Sequence, residues 1–150
     1  MNVIAIDPGA VSGAFAIRNE MGDFVVADIP VVDGQINAAD LARMVIGFYP
    51  RVAVVERVGA MPKQGVSSTF KFGKSVGIIE GMLAGAGIPV VYVTPQVWKK
   101  FFRLGTDKEK SRALAIQRHP KVEGLHLKKH HGRAEALLML DWYLSTTGDD

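Results

Sequence analysis

Val3-Ile4-Ala5-Ile6-Asp7-Pro8-Gly9 opens the chain with a short apolar run closed by an acid and a turn dipeptide. Consecutive apolar residues bounded by Asp-Pro-Gly read as a buried strand that ends in a turn. An acid at the end of such a strand stands where open α/β sheets bind their ligands. Working outward, residues 12–17 and 24–29 read as two further strands with a turn over residues 19–23, giving an antiparallel meander of three strands. Asn37 can cap a helix whose apolar face is Leu41, Val45 and Phe48. Val52-Ala53-Val54-Val55 then repeats the opening pattern, a buried strand that ends at Glu56.

Residues 57–66 form a loop rich in Gly, Pro and Lys. Ser67 or Ser68 can cap a long helix reaching to residue 86, and Pro89 introduces a third buried strand over residues 90–93. Thr94-Pro95 starts a short helix with proline at a tolerated first-turn position. Asp107 can cap a helix over residues 108–117, and a last helix covers residues 132–144. That last helix carries Leu137-Leu138-Met139-Leu140, so more than one of its sides must be covered. Strands alternating with helices in this order predict an α/β fold, a mixed five-stranded sheet flanked by helices, with the Val3 strand parallel to the Val52 strand.

The bulk properties set bounds. A length of 150 residues fits one domain, residues 1–150, with one sizeable core. The net charge is only +3, but the bases concentrate between Lys99 and Arg133, as suits either a polyanionic partner or a solvated basic surface. There is no cysteine, which excludes disulfides, thiol catalysis and thiolate-bound zinc. No apolar run reaches membrane-spanning length and the N-terminus reads as a strand rather than a signal peptide, so a soluble, cytoplasmic protein is expected.

If the strands ending at Asp7 and Glu56 are neighbours, their carboxylates lie side by side, and their repulsion calls for a proton or a cation. Oxygen donors at such a site favour Mg²⁺ or Mn²⁺. Taken singly, each acid is as well explained by a strand end facing water. Asp7 is followed by Gly9 and Gly13, which would let backbone approach a ligand closely. The third element is His131-Gly132-Arg133-Ala134-Glu135, in which His131 and Glu135 share a helix face and Glu135 is expected in the first turn. An acid just before an apolar helix needs a partner: a metal, or alternatively Arg133 or Lys129 at the surface. His130 competes with His131 as a ligand, or is a surface residue.

Asp-Pro-Gly after the first strand, Glu56 after the fourth and the acidic helix near the C-terminus together resemble the RuvC Holliday junction resolvases, a branch of the ribonuclease H-like superfamily. His131-Gly132-Arg133-Ala134-Glu135-Ala136-Leu137-Leu138 is similar to the final motif of the phage-type members. Val54-Val55-Glu56-Arg57-Val58, Phe72-Gly73-Lys74-Ser75-Val76-Gly77, Thr94-Pro95-Gln96-Val97-Trp98-Lys99-Lys100 and Thr106-Asp107-Lys108-Glu109-Lys110 resemble further family segments, in order over nearly the whole chain.

The resemblance implies a homodimeric endonuclease of DNA recombination and repair, in a bacterial cell or a phage-infected host. It would resolve four-way junctions or other branched DNA with two Mg²⁺ or Mn²⁺ ions. By position, Asp7, Glu56 and Glu135 match the metal-binding acids, and His131 stands near the fourth ligand position. Lys99 or Lys100 matches one DNA-contacting lysine and Lys108 or Lys110 the other, with Lys99 and Lys108 preferred. Asp7 would bridge the ions, Glu56 and Glu135 would complete one each, and a lysine would stabilise negative charge at the phosphate. The loop bearing Met61 and Lys63 would enter the branch point, with Met61 or Phe70 against unstacked bases. Gly73, Gly77 and Gly81 form a smooth stripe on the long helix, suited either to a dimer partner or to the chain's own sheet.

Three competing functions are distinguishable. An actin-like ATPase also begins with strand, Asp and Gly-rich turn, but needs a second domain and phosphate loops. A non-cleaving module for branched nucleic acid would have little use for acids that repel phosphate. A ribonuclease H-like nuclease with another substrate, such as an RNA–DNA hybrid or a fork, separates only by its substrate.

Overall fold

The computed structural model describes residues 1–9, 13–59 and 62–149. The meander is present as β1 (Val3–Asp7), β2 (Ala14–Arg18) and β3 (Phe24–Asp28). A two-residue hairpin follows, β4 (Val31–Val32) and β5 (Gln35–Ile36), which periodicity is too short to announce. Then come α1 (Ala38–Gly47), β6 (Val52–Glu56), α2 (Val66–Gly85), β7 (Val90–Val93), α3 (Pro95–Phe101), α4 (Lys108–Arg118) and α5 (His131–Thr147). Among the described residues, no helix is long and apolar enough to cross a membrane.

The local signals mostly act as their chemistry dictates. Asn37 accepts from the Asp40 N–H and Asp107 from the Glu109 N–H, each satisfying a donor at a helix start. Thr94 precedes α3 with Pro95 in its first turn. The start of α2 differs from expectation. Extended Gly65 is its N-cap without a side-chain bond, and Ser67 and Ser68 lie inside the first turn.

The main sheet has the order β3-β2-β1-β6-β7, with β1 antiparallel to β2 and parallel to β6, as expected. Side chains alternate between the faces of a strand. Ile4 and Ile6 therefore join Ala53, Val55, α1 and α2 on one face, with Ile79 and Leu83 of α2 fully buried there. Val3, Ala5, Val52 and Val54 join α3, α4 and α5 on the other. Helix α5 runs across β1, β2, β3 and β6 and is overlain by α3 and α4. That double cover is why every residue from Ala134 to Asp141 is buried.

Gly13 permits a close approach between backbone segments. A Cβ there would stand 2.5 Å from the Asp7 carbonyl oxygen and 2.6 Å from that of Pro8. The missing side chain lets residue 13 pass close to the backbone of Asp7 and Pro8.

Candidate active site

Alternation and register together build the acid cluster. Ile6 pairs with Val55, so the next residues, Asp7 and Glu56, end neighbouring parallel strands. By parity both side chains follow Val3, Ala5, Val52 and Val54 onto the face covered by α5. Glu135 descends from that helix. Asp7, Glu56, Lys108, His131, Gly132 and Glu135 line one cleft of about 340 Å³, together with Pro8, Gly9, Val58 and Phe72. Three carboxylates from three distant segments thus converge where β1 and β6 end.

All three are buried, with residue exposures of 6 %, 8 % and 5 % for Asp7, Glu56 and Glu135. Burial above all, then the facing charges of Glu56 and Glu135, hold the Asp7 carboxyl well above the ordinary range, although the Gly9 N–H donates to its Oδ1 at 3.0 Å. Glu56 is also pushed up, first by burial and then by Glu135. The buried Trp98 indole N–H opposes this shift by donating to Glu56 Oε2 at 2.8 Å, and Lys99 and Lys108 oppose it by charge. Lys108 Nζ stands 3.0 Å from Glu135 Oε1. His131 keeps a buried Nδ1 with no hydrogen-bond partner.

Several expectations are revised here. Glu135 is not in the first turn: α5 starts at His131, behind a 3-10 turn over Lys128–His130, so the helix dipole is not what favours its charge. Its partner is Lys108, while Arg133 turns away to clamp Asp28 with contacts of 2.8 and 3.1 Å and donates to the Gly124 carbonyl. That fork holds the start of α5 against β3, and it keeps the Asp28 carboxyl below its usual range. His130 is buried rather than superficial, its Nδ1 accepting from the Leu127 N–H at 3.2 Å.

The remaining candidates sit around this centre. Lys99 and Lys100 line a shallower hollow with Gln96, Arg103 and Thr106, beside the cleft rather than in it. Lys110 and Lys63 are exposed. Phe70 is 72 % exposed near the start of α2, and Phe72 lines the cleft. Met61 lies outside the described residues. Trp98 and Phe72 are the site residues that spacing did not reveal; both are apolar positions on helices, where a core role is the ordinary reading.

Among the described residues, no three carboxylate or imidazole groups stand ready as a closed metal cage. The donor set nonetheless suits a hard divalent cation: three crowded carboxylates, two of them, Asp7 and Glu56, raised by burial and by neighbouring acids, and an imidazole nitrogen without a partner. An added cation would compete with Lys108 for Glu135.

No protein-family model matches this sequence, and no curated protein does. Solved structures do. The chain is similar to Thermus thermophilus RuvC in complex with Holliday junction substrate, with a TM-score of 0.68 and 16 % identity over 99 % of this chain and 97 % of that one. It is similar to a second Thermus thermophilus RuvC structure with a TM-score of 0.67 at the same identity and coverage. The chain therefore has the RuvC form of the ribonuclease H-like fold.

Proposed function

We propose that the chain is a divalent-metal-dependent endonuclease that cuts branched DNA, four-way junctions above all, and works as a homodimer. The convergence of Asp7, Glu56 and Glu135 in one cleft, with Lys108 at its wall, carries this reading. The shared fold with a resolvase structure that holds a Holliday junction supports it. The segment from His131 to Leu138 is the ground for placing the chain in the phage-type branch.

Asp7, Glu56, Glu135 and His131 would hold Mg²⁺ or Mn²⁺. Bound there, two such ions supply an activated water and stabilise the leaving oxygen of the phosphodiester. The protein's own contribution is positional. Gly9 fixes one oxygen of Asp7, and Trp98 fixes one oxygen of Glu56. Lys108 is half-exposed, so its ammonium can leave Glu135 and meet an incoming phosphate. Lys99, Lys100 and Arg103 extend positive charge from the cleft along the adjoining hollow, where a duplex arm would bring its phosphates.

The test is incubation of the purified chain with labelled four-way junction, fork and RNA–DNA hybrid, each with Mg²⁺, Mn²⁺ or EDTA. Paired, metal-dependent cuts near the branch point support the proposal. Preferential cutting of the hybrid replaces it with a ribonuclease activity. Tight junction binding without cutting under any metal replaces it with a binding module.

A further inference from the structure

We infer that Trp98 is a positioning residue for metal binding: its indole N–H pins one oxygen of Glu56, fixes the carboxylate's rotation and leaves the other oxygen open to a cation. The inference rests on the metal-dependent reading above and assigns a role to a residue outside the acid cluster. Trp98 is fully buried, and a buried indole N–H needs an acceptor. Its acceptor is Glu56 Oε2, at 2.8 Å, and both partners are buried.

The fold makes this contact by register. Glu56 pairs with Val93 across β6 and β7, and α3 begins two residues later, so its first turn rises beside Glu56. One turn in, the side chain of Trp98 reaches the carboxylate. Among the described residues, no hydrogen bond is made to Oε1. A carboxylate held by one oxygen has its rotation fixed, and its free oxygen is aimed before any cation arrives. Partners of this kind set the orientation of metal ligands, and losing one typically weakens metal affinity about 10- to 100-fold.

The experiment is Mn²⁺ binding by calorimetry, without DNA, to the wild-type chain, Trp98→Phe and Glu56→Gln, with folding checked by circular dichroism and melting. The expected result is a loss of Mn²⁺ affinity of about 10-fold or more in folded Trp98→Phe. Wild-type affinity in Trp98→Phe, when Glu56→Gln has lost it, overturns the role of Trp98 and leaves the metal reading standing. A wild-type chain that binds no Mn²⁺ removes the metal reading and this inference together.

A second measurement needs no change at Trp98. In a Trp142→Phe background the Trp98 indole N–H gives a single ¹⁵N–¹H cross-peak. That peak should move on Mg²⁺ addition with the midpoint of metal binding. A peak that stays in place at saturating Mg²⁺ overturns the inference, even if Trp98→Phe fails to fold.

Discussion

Lys108 Nζ and Glu135 Oε1 lie 3.0 Å apart, and the two ends of this pair differ sharply in environment: the lysine side chain is 54 % exposed and the glutamate side chain 6 %. An ammonium from the first residue of α4 thus closes over a carboxylate of α5 at the cleft wall. It offsets part of the negative charge that three buried acids accumulate. Lys108 also lines the cleft, so under the proposed function the same ammonium would meet an incoming phosphate. One group cannot do both at once, so Lys108 is expected to exchange partners during the reaction.

That exchange predicts an unusual phenotype for Lys108→Ala. Glu135 would be released from its partner, and Mn²⁺ binding should be unchanged or tighter. Junction cleavage should nevertheless fall by about 10²-fold, the range seen when a charge-stabilising donor is removed. Calorimetry beside single-turnover cleavage checks both. Loss of metal binding in step with activity would make Lys108 a support for the metal site rather than a phosphate contact.

The acids predict a pH effect with a definite sign. The Asp7 and Glu56 carboxyls are raised in the folded chain, so the metal-free fold holds protons that the unfolded chain releases. Their contribution to stability is complete below the unfolded value, near about pH 4, and is lost as pH rises through the raised folded values. Asp28, held low by Arg133, acts with the opposite sign, but it is common to wild type and an Asp7 variant. Asp7→Asn in EDTA should therefore melt about 2–4 °C above wild type at pH 8, the shift that 1 kcal/mol gives in a chain of this size, with the gap closing toward pH 4. The same variant, with Glu56→Gln and Glu135→Gln, should bind junction DNA and cut none. Equal melting at pH 8 would show that Asp7 is not destabilised by its neighbours, and retained cleavage would take the residue out of the metal site.

Salt dependence tests the lysines of the hollow as phosphate contacts. Lys99 is half-buried, 5.5 Å from the Trp98 ring centroid, whereas Lys100 is exposed. Each phosphate contact contributes about 0.9 to the slope of log affinity against log salt on duplex DNA. Lys99→Ala and Lys100→Ala are each expected to lower that slope by about 0.9 if the hollow formed by α3 and the residues after it carries a duplex arm. Unchanged slopes in both would move the DNA to another face.

Much of this architecture was readable because its physics is local. Apolar runs ending in Asp7 and Glu56 became parallel neighbours, and alternation alone put both acids on the α5 face. Asn37, Asp107 and Thr94-Pro95 marked helix starts that the structure keeps. What escaped was set by contacts between distant segments. Nothing in the sequence links Trp98 to Glu56 or Arg133 to Asp28, because each pairing depends on where a helix lands on the sheet. Helix α5 starts at His131, one residue before the expected start and directly after a 3-10 turn, so Glu135 falls just beyond the first turn.

The glycine stripe of α2 supports the last prediction. Ile79 and Leu83 bury fully against the sheet, which directs the opposite side of the helix outward. Gly73, Gly77 and Gly81 are all exposed, and a Cβ added at any of them meets nothing within 4 Å. The stripe therefore does not pack on the chain's own sheet. Glycine in a helix interior costs roughly 1 kcal/mol relative to alanine, and close approach by a second helix would compensate. A two-fold dimer across this face would present two matching clefts to a nearly symmetric junction. Light scattering at micromolar concentration should therefore report a dimer for the wild-type chain. Gly77→Leu should shift it to monomer without lowering the melting temperature of the monomer, since a Cβ at Gly77 meets nothing within 4 Å. Paired cuts should become single nicks in step with that shift. A Gly77→Leu chain that stays dimeric places the interface elsewhere, and a strictly monomeric wild type that still makes paired cuts removes the dimer from the mechanism.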